Sequence, residues 1–230
     1  MFWCGDVACQ SLVRFGLMEL SKIQERIGDS YLVLPGFISL EEVEKLRSPF
    51  LTCCKDLEVV PDDGIVFNSR GVHQHIPSSI LMCTKLKQVI ALLGEPCVPS
   101  YSYIRSYGHL AELRPHADRA SCEISITVHL GGDQEWSFLI DTVDGTAHRV
   151  NLNPGDAILF DGINFPHCRE NPYGGVSYEQ LFLHYVFAEG DYTSHMFEPP
   201  GKKIVGEKKD GYGLAVDITC GCGGEENHRG

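Results

Sequence analysis

The spacing of apolar positions changes once along the chain, near residue 95. Before it, Val7, Leu12, Phe15, Leu20, Ile23 and Ile27 recur close to the helical period and predict one amphipathic helix. Tyr31-Leu-Val-Leu34 then reads as a short buried strand. Ser39-Leu-Glu-Glu42 has capping-box spacing, which predicts a helix starting after Ser39, and Ser48-Pro49 is expected to stop it. A further helix is predicted over Ile80–Leu93, closed by Gly94, with Leu81, Leu86, Val89, Ile90 and Leu93 available for one face.

From residue 97 to 188 the rhythm is that of short strands. Ser102–Tyr107, Glu123–Leu130, Trp136–Ile140, His148–Leu152, Ala157–Phe160 and Gln180–Phe187 alternate with turn residues such as Gly131-Gly132-Asp133 and Asn153-Pro-Gly-Asp156. Asp144-Gly145 is a strong hairpin signal. No helix-length segment interrupts this stretch, which excludes a parallel βαβ sheet and leaves an antiparallel sandwich or barrel. The expected organisation is one domain over 1–190, with 1–95 as helical support and entry strand and 96–190 as core. A glycine-rich tail follows over 191–230, and no internal repeat is present.

Composition narrows the classes. Hydrophobic residues at 43% and charged residues at 22% describe a globular chain and exclude a disordered or fibrous one. The net charge of −12 disfavours nucleic acid and anionic membranes, because the densest basic run, Lys202-Lys203 to Lys208-Lys209, is diluted by Glu207 and Asp210. The same balance favours a neutral or cationic substrate. No apolar run reads as a bilayer span, and Asp6, Gln10 and Arg14 interrupt any signal peptide near Met1. Ten cysteines without an even framework point to reduced thiols and a cytoplasmic location, with Cys83 and Cys122 expected as small buried hydrophobes.

The candidate chemistry lies in the strand-rich half. In extended backbone, residues i and i+2 face the same way, so His116 and Asp118 can reach one metal ion. His167, in Asn164-Phe-Pro-His167, supplies a third ligand just after the strand Pro154-Gly-Asp-Ala-Ile-Leu-Phe160. Two histidines and one carboxylate form the facial triad of non-haem iron(II) oxygenases.

On these residues the chain resembles the iron(II)- and 2-oxoglutarate-dependent oxygenases, in their prolyl-4-hydroxylase-like branch. The resemblance runs from about Tyr31 to Phe187. It rests on Leu34-Pro-Gly-Phe-Ile-Ser-Leu-Glu-Glu-Val-Glu-Lys-Leu46, Tyr107-Gly-His-Leu-Ala-Glu-Leu-Arg-Pro-His-Ala-Asp118, Pro154–Phe160 and Pro166-His167. It implies a mainly β double-stranded β-helix, or jelly roll, with supporting helices. It further implies iron(II) on His116, Asp118 and His167, and 2-oxoglutarate and O₂ as cosubstrates. The 2-oxoglutarate would chelate the iron through its keto and C1 carboxylate oxygens, with Tyr107 helping to hold it. The implied reaction oxidises an unactivated C–H bond of a peptide, amino acid or small molecule, with release of succinate and CO₂. The retained Asp118 favours hydroxylation or a desaturation-type outcome over halogenation.

One departure stands out. The family's usual cation about ten residues after the distal histidine falls here on Ser177, followed by Tyr178, Glu179 and Gln180. Arg105, two residues from Tyr107, is the first candidate to replace it, and Arg169 the second. The missing cation also keeps open a cupin-like metal-binding or regulatory protein without turnover, or a metal-dependent dioxygenase that ignores 2-oxoglutarate. Cys220-Gly-Cys222 with His228 is half a zinc site lacking its second pair. Trp136 is read as a sheet-core aromatic with a lesser claim to a substrate pocket.

Overall fold

The computed structural model describes residues 21–60 and 62–198. In chain order its elements are α1 (Lys22–Ile27), β1 (Tyr31–Leu34), α2 (Leu40–Cys54), β2 (Val66–His73), α3 (Ile76–Leu93) and β3 (Cys97–Leu113). There follow β4 (Ile124–Gly132), β5 (Phe138–Asp141), β6 (Ala147–Val150), β7 (Ala157–Phe160), β8 (His167–Arg169) and β9 (Ser177–Phe187). Of the predicted first helix only α1 is among the described residues. The stretch Val7–Leu20, the basic run near Lys202 and the Cys220-Gly-Cys222 motif lie outside them.

Two antiparallel sheets face each other. The larger has the order β1-β7-β4-β9-β3-β2 and the smaller β6-β5-β8. Strand alternation divides the larger sheet cleanly. Ile104, Ile124, Ile126, Val128, Leu181, Leu183 and Tyr185 pack on one face against α1, α2 and α3 in the main core. The opposite face carries Tyr103, Arg105 and Tyr107 on β3, Ser125, Thr127 and His129 on β4, and Tyr178, Gln180, Phe182 and His184 on β9. Phe138 and Ile140 of the smaller sheet pack with Ile158 and Phe160 from this inner side. This is a jelly-roll core with helices on one sheet.

Local chemistry sets several boundaries. Ser39 caps α2 as its spacing predicts: its hydroxyl accepts from the Glu42 N–H at 3.1 Å, and the Glu42 carboxylate accepts from the Ser39 N–H at 2.8 Å. The helix nevertheless runs through Pro49 instead of stopping there. An interior proline costs roughly 3 kcal/mol through a lost hydrogen bond and a ring clash. Burying Phe50, which is fully enclosed, returns about 1.5–3 kcal/mol, and Cys54 one turn on is buried too. Core packing therefore outweighs the stop signal. Helix α3 begins four residues earlier than its apolar pattern, with a proline at its first turn, where no donor is lost.

Further differences concern exposure and strand extent. Cys122 is buried as expected, but Cys83 is exposed on α3. Among the described residues, α3 is the one helix long and apolar enough to cross a bilayer, at mean hydropathy 1.3; here Leu81, Met82, Val89 and Leu93 pack into the core. Strand β3 extends far beyond Ser102–Tyr107, while β2 and β8 carry no strand pattern of their own. The Asp144-Gly145 turn joins β5 to β6 with Gly145 at φ 79°, as predicted.

Because Pro49 is exposed and Phe50 supplies the anchoring, Pro49→Ala should stabilise the protein by about 1–2 kcal/mol, the restored helix bond less the unfolded-state entropy regained. Urea unfolding checks this; an unchanged or lower midpoint contradicts it.

Candidate metal centre

Two backbone hydrogen bonds assemble the site. The His116 N–H donates to the His167 carbonyl at 3.1 Å and the His167 N–H donates back at 2.8 Å, forming an antiparallel bridge beyond the end of β3. The two imidazoles stand 4.4 Å apart between centroids. Asp118 is held by its own N–H, which donates to the Gly162 carbonyl at 2.7 Å. One carboxylate oxygen, Oδ1, then lies 3.7 Å from His116 Nε2 and 3.8 Å from His167 Nε2. The three ligand atoms all fall within 4.8 Å of one another, close enough to share one ion.

The protonation of both rings follows from their partners. His116 Nδ1 is 2.8 Å from the Arg114 carbonyl and His167 Nδ1 is 3.0 Å from the Phe165 carbonyl. A carbonyl only accepts, so each Nδ1 carries a proton, which leaves Nε2 as the nitrogen available to a metal at the common centre. Burial holds the His167 pKa down at about 4, with His116 beside it acting the same way. Phe138 and Phe160 enclose the His167 ring at 5.5 and 4.7 Å.

A second tier fixes Asp118. The Ser125 hydroxyl lies 2.9 Å from Asp118 Oδ2, 3.1 Å from the Cys122 carbonyl and 3.1 Å from His184 Nδ1. The first two groups only accept, so the single hydroxyl proton goes to one of them and His184 donates to Ser125. Ser125 Oγ, with His184 behind it, stands against Oδ2 and leaves Oδ1 facing the histidines. Desolvation lowers the His184 pKa to about 4, in keeping with this neutral tautomer. Gly162 seals the other side: a Cβ there would stand 2.6 Å from both Asp118 Oδ2 and Ser125 Oγ. Sequence reasoning missed Ser125, His184 and Gly162. Only the i, i+2 alternation of β9 could have placed His184 inward, and nothing local marks Ser125.

Tyr107, Arg105 and Arg169 all reach the inner face. Tyr107 is buried, and burial pushes its phenol up while both arginines pull it the other way. Arg169 sits on β8 two residues after His167 and is buried; its guanidinium stacks on Tyr178 at 4.8 Å and on Trp136 and Phe138 at 5.3 Å. It donates to the Trp136 carbonyl and, at 2.7 Å, to Gln180 Oε1. Trp136 is itself pinned, its indole N–H donating to the Glu170 and Asn171 carbonyls at 3.1 and 2.9 Å. Arg105 is half-buried on β3, its guanidinium 4.8 Å from the Tyr103 ring and 5.7 Å from Tyr107.

Known structures place the fold. The chain aligns with a prolyl-4-hydroxylase from Pseudomonas putida at TM-score 0.58 and 14% identity, over 73% of this chain and 98% of that one. It aligns with the non-haem α-ketoglutarate-dependent epimerase SnoN of nogalamycin biosynthesis at TM-score 0.61 and 14% identity, over 85% and 93%. HygX from Streptomyces hygroscopicus, with nickel and 2-oxoglutarate bound, aligns at TM-score 0.59 and 13% identity over 87% and 98%. No protein-family model matches the chain, and no curated protein does. The fold is thus that of the iron(II)- and 2-oxoglutarate-dependent oxygenases, prolyl hydroxylases among them. The triad foreseen from the sequence converges inside it.

Two outcomes are expected. A Cβ in Gly162→Ala would collide with the Cys122 carbonyl at 2.5 Å as well as with Asp118 and Ser125. The Asp118 support must then shift, so Co(II) affinity should fall about 10–100-fold, the usual scale for disturbing a ligand's support; an unchanged affinity in a titration contradicts the packing argument. In metal-free protein, burial lowers His129, His167 and His184 to about 4 from 6.5. The unfolded chain then binds more protons between those values, so stability is fully present above pH 6.5 and is lost as pH falls toward 4. Urea midpoints across that window should drop on acidification.

Proposed function

We propose that the chain is an iron(II)- and 2-oxoglutarate-dependent dioxygenase that hydroxylates, or otherwise oxidises, an unactivated C–H bond of a peptide, amino acid or small molecule. The observation that carries this is the convergence of two Nε2 atoms, each with its Nδ1 held by a carbonyl, and Asp118 Oδ1 on one point within a jelly roll. Bound iron, 2-oxoglutarate and O₂ would supply the oxidising power, with succinate and CO₂ as coproducts.

The chain's own residues have separable tasks. His116 and His167 hold the metal through fixed tautomers. Asp118, steered by Ser125 and His184, offers one oxygen. Phe138 and Phe160 keep water from His167. Arg169 is the better candidate for the far carboxylate of 2-oxoglutarate: it shares β8 with His167, and its guanidinium lies over Tyr178, close to where the family's usual cation falls. Its Nε is buried without a partner, and among the described residues no carboxylate lies within ion-pair distance. A buried cation of this kind is stabilised by an incoming anion. Tyr107 stands beside it. Ten cysteines without an even framework support a reducing, cytoplasmic-type compartment.

The departure at Ser177 favours one rival, a metal-binding protein without turnover. The two readings separate on a single assay. Iron-loaded protein should form succinate from 2-oxoglutarate, and His167→Ala should abolish metal binding while leaving the fold intact. Arg169→Gln should raise the 2-oxoglutarate requirement by about ten- to a thousandfold, the scale of losing charge-assisted hydrogen bonds of about 1.5–3 kcal/mol or somewhat more. Wild-type protein that neither binds 2-oxoglutarate nor forms succinate establishes the rival.

A further inference from the structure

The inner face holds two buried or half-buried guanidiniums, and one cosubstrate carboxylate can neutralise only one of them. Arg105 and Arg169 both adjoin Gln180. Gln180 is the register partner of Arg105 across β3 and β9, and it accepts the hydrogen bond of Arg169. Both cations bear on the Tyr107 phenol. Like charges that share a low-dielectric interior repel, and each is stabilised by an anion of its own. Among the described residues neither forms an ion pair. Arg105 meets only neutral partners, a long 3.3 Å bond to Ser69 Oγ and the Tyr103 hydroxyl, and its Nε is buried without a partner. The nearest acidic influence is Asp63, whose Oδ1 is already taken by the Ile65 and Val66 N–H groups at 2.9 and 2.7 Å.

The two positions also differ in access. Arg169 is enclosed by Trp136, Phe138 and Tyr178 under the smaller sheet. Arg105 lies toward β2, an edge strand of the larger sheet, where Tyr103, His73 and Phe182 beside it are all half-buried. Gly71 on β2 leaves room for the Tyr103 hydroxyl, because any Cβ there would collide with it. The Tyr103 and Tyr107 rings lie 4.8 and 5.7 Å from the guanidinium carbon, and a guanidinium with no charged partner suits a planar, bidentate acceptor.

We propose that Arg105 receives a carboxylate of the molecule being oxidised, so the substrate class is carboxylate-bearing: a free amino acid, another small organic acid or a peptide C-terminus. This rests on the oxygenase reading above and adds the substrate's charge to it. It also reverses the expectation drawn from net charge, since the interior is locally basic in an acidic chain.

The test uses the iron(II)-loaded full chain without oxygen. The affinity for 2-oxoglutarate is read from the charge-transfer absorption of the chelate. Calorimetry then compares free amino acids and short peptides with their C-terminal amides on the 2-oxoglutarate complex. Arg105→Gln should keep 2-oxoglutarate affinity within about twofold, which also establishes that the variant is folded, whereas Arg169→Gln should lose it. At least one acid should bind wild type about ten- to a hundredfold more tightly than its amide, the scale of one charge-assisted contact. Arg105→Gln should erase that preference and Arg105→Lys should keep part of it. Loss of 2-oxoglutarate affinity in Arg105→Gln comparable to that in Arg169→Gln would assign Arg105 to the cosubstrate and overturn the proposal, leaving the oxygenase reading intact. Acids that bind no better than their amides overturn it as well. Wild type that binds no 2-oxoglutarate overturns both.

Discussion

The antiparallel bridge between His116 and His167 is the joint on which the site depends. These residues are far apart in sequence, and closing that separation costs chain entropy that the bridge alone cannot repay. The pairings of β4 with β7 and β9, and of β5 with β8, carry that cost and bring β8 back beside the end of β3. The bridge then converts a general sheet contact into a fixed separation of two imidazoles. Carbonyls of neighbouring residues, Arg114 and Phe165, set both tautomers without any side chain being spent on the task.

The parts of this arrangement written in local pattern were legible in the sequence. Capping at Ser39, the Asp144-Gly145 hairpin and the i, i+2 spacing of His116 and Asp118 are short-range signals, and each has its expected counterpart in the structure. Pro154-Gly-Asp156 was legible as a motif, but its role is structural. Asp156 accepts from the Gly36 and Asn153 N–H groups at 2.8 and 3.0 Å, and Gly155 at φ 93° lets its carbonyl accept from Ile38 at 3.1 Å. The motif therefore ties the entry segment to the strand before the distal histidine. What stayed hidden was set by tertiary contact. Strand β2 depends on its pairing with β3, β8 is too short to have a period, and α2 passes Pro49 because Phe50 needs the core. Ser125 and Gly162 gain meaning only from their distance to Asp118.

Electrostatics divide the molecule in a way that net charge conceals. The chain carries −12 overall, yet two guanidiniums face the interior of the jelly roll. Surface carboxylates remain hydrated and weakly coupled, whereas interior cations act at short range in a poor dielectric. The recognition chemistry of such a cavity follows its lining rather than the isoelectric point.

Strand β9 separates two charged environments by a single residue. Gln180 faces the arginine-lined interior, and its neighbour Glu179 faces the helices, fully buried and held by Arg47 of α2 at 2.8 Å. A slip of one position would exchange them, placing a carboxylate against Arg169 and an amide under Arg47. The interior would then supply its own anion and have no need of a ligand's. The Arg47–Glu179 pair therefore acts as a register pin. A change in loop 170–176 that shifted β9 by one residue would have to break this ion pair too, while the Glu170 and Asn171 carbonyls that hold Trp136 tie the start of that loop to the cavity itself.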